Sequence, residues 1–141
     1  MPLPVLALAI TTFTVGFTTV RAQAPASALA GIYTDEQATR GAKVYADNCA
    51  ACHGDKLEGT STGGPTLSGK DFVNGWKAMS AGELFDKISM DMPSNAPGSL
   101  KPDQYADVMA FVLKTNKYPA GQTPLPTAAA TLKSVKMEEP K

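Results

Sequence analysis

The chain has 141 residues, a mass of 14.7 kDa and 43% hydrophobic residues, enough for one domain with its own core and too few for two. Thirteen Lys and Arg oppose thirteen Asp and Glu, so the basic excess expected of a nucleic-acid binder is missing. One histidine and two cysteines are too few for a four-ligand structural zinc site or a disulfide scaffold.

Residues 1–24 read as an export signal. Leu3 to Val20 is almost free of charge and mostly apolar or Thr, and Ala22-Gln23-Ala24 has the small-residue pattern of a cleavage site. The segment before Leu3 has no Lys or Arg, so its positive charge comes from the terminal amine alone. The expected mature chain starts at Pro25; loss of Arg21 takes the formal charge to −1. An uncleaved membrane anchor is the alternative, weakened by the threonines and Gly16 in residues 11–19. Either way the folded part is expected outside the cytoplasm, in the periplasm.

Residues 25–33 are small and polar and read as a linker. Thr34-Asp35-Glu36-Gln37 has capping-box form, and Ala38, Ala42, Tyr45 and Cys49 recur at helical spacing, which predicts a helix over Asp35 to Asn48. Gly41 on that face marks a notch where another helix can cross closely. Gly54 to Gly75 holds six glycines and Pro65 and is predicted to be a long ordered loop. Ser80-Ala81-Gly82-Glu83 is a second capping box, with Met79 placed to staple onto Leu84. It predicts a helix over Ala81 to Ser89 with Leu84, Phe85 and Ile88 inward. A Pro/Gly-rich loop follows from Asp91 to Leu100. Pro102 suits the first turn of a last helix ending near Thr115, with Tyr105, Val108, Met109, Val112 and Leu113 inward. No segment alternates as a strand does. The segment 119–141, rich in Pro, Ala, Thr and Lys, is expected to be an extended tail, loose after Leu132.

Cys49-Ala50-Ala51-Cys52-His53 is the C-x-x-C-H pattern of covalent haem attachment. Cysteines three apart at a helix end emerge on one side, where each sulfur can form a thioether to one haem vinyl group. His53 follows at once, so its imidazole approaches the iron from that side. Two cysteines and one histidine scattered at random would fall into this arrangement on the order of once in ten thousand chains. A thioredoxin-like redox pair would sit between strand and helix, a context this sequence lacks, and a plain Cys49–Cys52 disulfide is the other alternative.

No histidine remains for the second axial position, and thioether sulfur suits haem iron. Beyond the signal the methionines are Met79, Met90, Met92, Met109 and Met137. Met79 is assigned to the helix staple, Met109 to the core stripe and Met137 to the tail. Met90 and Met92 remain, and Met92 is favoured because Pro93 after it holds the chain extended. His/Met ligation leaves no open site at the iron, which favours electron transfer over oxygen or peroxide chemistry.

With these residues on view, the sequence resembles a class I cytochrome c of the small, monohaem bacterial type over about Tyr33 to Tyr118. The likeness rests on the attachment motif with Gly54 behind it, on Gly41 and Tyr45, Gly64-Pro65 with Leu67, Trp76, Met92-Pro93, Pro97-Gly98-Ser99-Leu100 and Tyr105-Ala106-Asp107-Val108. It implies an all-α fold, three main helices and long loops around one covalently bound haem c, with residues 34–118 as the domain. It implies that Gly41 and Tyr45 meet the face of Tyr105, Val108 and Met109. It also implies that the Pro65 carbonyl accepts a hydrogen bond from His53, that Trp76 lines the haem near its propionates, and that Met92 is the distal ligand. Relatives often carry Ser or Thr where Lys101 stands, and lysine caps poorly, which leaves the cap to Ser99 or water.

Met92 to Leu100 and Tyr118-Pro119-Ala120-Gly121 are similar to cytochromes that accept electrons from periplasmic quinoprotein dehydrogenases. The expected role is a monomeric electron carrier, not an enzyme, with a haem iron cycling between Fe(II) and Fe(III). Its expected partners are redox proteins (a periplasmic dehydrogenase, a terminal oxidase or a respiratory complex), with no nucleic acid and no small-molecule substrate. Lys56, Lys70, Lys77, Lys87 and Lys101 either ring the haem edge or are scattered solvated lysines. The alternatives are a fixed cytochrome subunit of a dehydrogenase complex and, from another class, a five-coordinate haem gas sensor or peroxidase. Four-helix gas-binding cytochromes carry the motif near the carboxyl end, whereas residues 54–141 follow His53 here.

Overall fold

Thr34 opens the first helix as its sequence demands. In the computed structural model, which describes residues 25–141, Thr34 Oγ1 accepts from the Gln37 amide and Gln37 Oε1 accepts from the Thr34 amide, both at 3.3 Å. Helix α1 then runs Asp35–Asn48, and a one-turn helix α2, Ala50–His53, follows directly. Helices α3 (Gly69–Trp76), α4 (Ala81–Asp91) and α5 (Pro102–Thr115) complete the set, with short 3-10 turns at Ala28–Ala30 and Ala129–Leu132. The described residues form no strand, only two isolated bridges at Lys136. The all-α architecture expected from the sequence is therefore observed, with five helices among the described residues where three main ones were expected.

Helices α1 and α5 cross in contact at Gly41. A Cβ there would run into the Asp107 carbonyl, so only glycine lets the backbones approach this closely. Arg40 clamps the same place, donating to both Asp107 carboxylate oxygens at 2.8 and 2.7 Å. The inward residues of α5 agree with the expected stripe: Tyr105, Val108, Met109, Val112 and Leu113 are all buried. The residues of α5 nearest Gly41 differ from the implied ones. Asp107 and Phe111 supply the nearest atoms to Gly41, and the Tyr45 and Phe111 rings stand 5.3 Å apart. Residues 107 and 111 are four apart and share a helical face.

Helix α3 corrects the expectation of a continuous loop from Gly54 to Gly75. Glycines at both ends of an eight-residue segment hide it from propensity. Its start lacks a local side-chain cap; Asn116, at the end of α5, does that job by accepting from the Gly69 amide at 2.9 Å. Asn116 also donates to the Leu67 and Val112 carbonyls at 2.8 and 2.9 Å. The helix buries Phe72 and Val73.

The last helix starts at Pro102 as expected, yet Ser99 does not cap it. The Lys101 amide donates to Gln104 Oε1 at 3.0 Å, so the residue three positions in supplies the bond that lysine cannot.

The flanking segments are also tighter than their composition suggests. Residues 25–33 are not a loose linker: Ala28, Ile32 and Tyr33 are buried, and the Tyr33 hydroxyl donates to the Tyr118 carbonyl at 2.6 Å. Segment 119–141 is extended but not loose after Leu132, since Val135 and Met137 are fully buried. The Ala81 amide donates to Val135 O at 2.8 Å, Met137 N to Met79 O at 3.0 Å, and Lys136 pairs with Ala26 and Ala28. A few apolar side chains, brought in register by these backbone bonds, dock a segment that is otherwise polar. The assignment of residues 1–24 as an export signal lies outside the described residues. Among the described residues, no helix is long and apolar enough to cross a membrane.

Candidate functional site

The attachment pentapeptide sits where α1 ends. Cys49 leaves the helical path at φ −125°, ψ −34°, and α2 restarts at Ala50. Cys52 and His53 amides both return to the Cys49 carbonyl, at 3.1 and 2.9 Å, so the motif is one closed turn. Both cysteines are free thiols, Cys49 half-buried and Cys52 exposed. Burial first, and Cys52 second, push the Cys49 thiol up to about 11, so it stays protonated at neutral pH.

Gly54 ends the turn at φ +80°, in the left-handed region, and its carbonyl accepts from the Tyr45 hydroxyl at 2.7 Å. Burial of that ring pushes the Tyr45 phenol up to about 12.

His53 is buried and its Nδ1 lies 2.8 Å from the Pro65 carbonyl. A carbonyl can only accept, so the hydrogen bond places the proton on Nδ1 and leaves Nε2 with a free lone pair. The Gly64 backbone lies close against the ring, and a Cβ there would enter the imidazole. Gly64 is fixed in turn by the hydrogen bond its amide donates to Cys52 O at 2.8 Å. Glycine at 64 and the carbonyl at 65 thus set the plane and tautomer of one imidazole.

This imidazole faces a cavity of about 640 Å³. Cys49, Cys52, His53, Pro65, Trp76 and Met92, all the sequence-derived site residues, line it. The remaining wall is largely apolar: Tyr45, Leu67, Phe72, Leu84, Ile88, Val108 and Val112. The sequence marked Tyr45, Leu84, Ile88, Val108 and Val112 as inward without assigning them to the site, and Leu67 and Phe72 fell within the expected loop. Helical periodicity marks the first five as inward but does not tell a dry core from a cofactor pocket.

The two methionines left open by the sequence part company here. Met92 is extended (φ −119°, ψ 150°), as a residue before proline should be, and lines the cavity. Met90 is 69% exposed at the end of α4. Of the five lysines considered for the haem edge, Lys87 alone lines the cavity, and it pairs with Asp91 at 2.7 Å.

Residues 36–112 match the family described as cytochrome c oxidase, cbb3-type, subunit III. The chain belongs to this family of cytochrome c domains. It is similar to thiosulfate dehydrogenase of Stutzerimonas stutzeri (strain A1501), with 36% identity over 80 residues, 52% of this chain and 25% of that protein. Among solved structures it is similar to the sulfane dehydrogenase SoxCD from Paracoccus pantotrophus, with a TM-score of 0.52 and 27% identity. That likeness covers 64% of this chain and 52% of that one. The chain therefore spans a quarter of the length of the curated relative and about half of the solved chain.

A cytochrome c domain is an electron-transfer haem protein, and the family implies covalently bound haem c. The residues present fit that group. Two unpaired thiols stand at attachment spacing, a histidine offers a free Nε2, and the space beside them is large and apolar.

Proposed function

We propose that this protein is a periplasmic electron carrier that holds one haem c through Cys49 and Cys52, with His53 and Met92 as axial ligands. Residues 34–118 form the haem domain, residues 25–33 and 119–141 brace it, and residues 1–24 direct its export. The observation that carries the reading is that His53 and Met92 line one apolar cavity while Met90 stands in solvent.

Bound haem c supplies one-electron chemistry at its iron. The chain does the rest. The Pro65 carbonyl orients His53 and makes Nε2 a better donor. Met92 would supply a thioether as the second ligand to the iron, which would leave no site for oxygen or peroxide. Phe72, Leu84, Val108 and Val112 would keep water away and disfavour the net positive ferric state, which would raise the potential. Trp76 lines the same pocket, where it would pack against the haem. No proton or small substrate is taken up in this reading, and the protein is not itself an enzyme.

The partners are larger redox proteins. Both relatives carry dehydrogenase names, which favours a dehydrogenase as electron donor and keeps a second reading in play: a fixed subunit of such a complex. Purification from the native membrane-free extract separates the two. A monodisperse haem protein near the mass of the mature chain supports the carrier, and constant co-elution with a dehydrogenase supports the subunit.

Absorption spectra test the ligands. The ferric wild type should be low-spin with a methionine–iron charge-transfer band. Met92→Ala should lose both, and Met90→Ala should keep both. Carbon monoxide binding by the reduced wild type would instead establish an open iron position and sink the carrier reading.

A further inference from the structure

The loop that follows Met92 is held at its neck by a single hydroxyl. Residues 94–99 are exposed, so burial does little to order them. Their own bonds are internal turns, Ala96 N to Pro93 O at 2.8 Å and Ser99 N to Ala96 O at 3.2 Å. The side-chain hydrogen bonds that tie residues 92–100 to the rest of the described fold both end on Tyr105 Oη. It donates to the Met92 carbonyl at 2.9 Å and accepts from the Leu100 amide at 3.3 Å.

One phenol thus uses its one proton on the first residue of the loop and a lone pair on the last. The ring beneath is 4% exposed, in a helix whose neighbours Ala106 and Met109 are fully buried. A rigid platform therefore holds both ends of a loop that has little else to fix it.

We infer that Tyr105 is a positioning residue for the axial ligand: its hydroxyl closes the neck of the 92–100 loop and so presents the Met92 thioether to the cavity. The inference rests on the proposed ligation by Met92. Without the hydroxyl, the backbone at Met92 and Leu100 can turn to water, and the loop swings out more easily. The ring and the α5 core stay in place.

The test is competition by imidazole against the methionine in the ferric holoprotein, followed by bleaching of the charge-transfer band. The bond accepted from Leu100 is long, so loss of the hydroxyl amounts to about one ordinary hydrogen bond and shifts such an equilibrium about fivefold. Tyr105→Phe should therefore bleach at about one-fifth of the wild-type imidazole concentration. Amide exchange at Leu100 should speed up by a similar factor while exchange at Met109 stays unchanged. An unchanged bleaching midpoint, with the band still present and Met92-dependent, overturns the role of Tyr105 alone. Equal acceleration at Leu100 and Met109 also overturns it, because it reports general loosening. A wild type without the band, or a Met92→Ala protein that keeps it, overturns the ligand assignment and the positioning role with it.

Discussion

Gln37 and Leu125 exchange two hydrogen bonds across the fold. Gln37 Nε2 donates to the Leu125 carbonyl at 3.1 Å, and Gln37 Oε1 accepts from the Leu125 amide at 2.6 Å. The same Oε1 completes the capping box with Thr34. A primary amide has the donor–acceptor pattern of a peptide unit, so it pairs with the backbone as a strand would. Gln37→Ala should strip the helix start of one bond and leave two buried backbone groups at Leu125 unpaired. The expected loss is about 2–4 kcal/mol in denaturant unfolding, with an unchanged haem spectrum.

A chain shortened to end at Lys133 tests the docking of the last segment. It removes Val135 and Met137, both at 0% exposure, together with the backbone bonds to Met79 and Ala81. Two fully buried side chains of this size stabilise by roughly 3–6 kcal/mol as an upper estimate. That is a large part of the about 5–15 kcal/mol by which domains are stable. Thermal unfolding followed by far-UV circular dichroism should show a steep fall in Tm; an unchanged Tm would make the segment an ornament.

Two glycines should respond to alanine in opposite directions. At Gly41 the added methyl meets the Asp107 carbonyl, which belongs to backbone and cannot turn aside. Gly41→Ala should cost roughly 1–3 kcal/mol, the range for overpacking. At Gly75 in α3 nothing stands within 4 Å of where a Cβ would sit. Gly75→Ala should stabilise by about 0.5–1 kcal/mol through lost freedom of the unfolded chain. Equilibrium unfolding of both variants decides it.

Glu83 gives stability an acid-sensitive component. Its Oε2 accepts from the Ser80 amide at 2.7 Å, and this backbone bond, ahead of the Ser80 hydroxyl, holds its carboxyl below the usual range. A carboxylate lowered on folding stabilises above its unfolded pKa, and that contribution is lost as pH falls through the folded value. Glu83→Gln keeps an acceptor for the capping box and removes the titration. Stability measured from neutral down to acid pH should fall less in the variant than in the wild type.

The helices with local start signals were legible residue by residue. Thr34 with Gln37, Ser80 with Glu83 and Pro102 mark the observed starts of α1, α4 and α5. The attachment motif was legible for the same reason: its chemistry lies within five consecutive residues. Helix α3 was not, because its cap comes from Asn116, 47 residues away. The residues of α5 nearest Gly41 differed from the implied ones for a related reason. Side-chain periodicity identifies an inward stripe but not which of its edges a partner helix will touch.

Short-range order alone determined that this chain makes helices around a C-x-x-C-H turn, since caps, periodicity and motif spacing act over a few residues. Tertiary structure decided which methionine faces the cavity, how Gly64 and Pro65 seat the imidazole, and that residues 119–141 close the core. Those outcomes depend on groups distant along the chain, such as Tyr105, Asn116 and Met79, whose partners exist only once the helices have crossed.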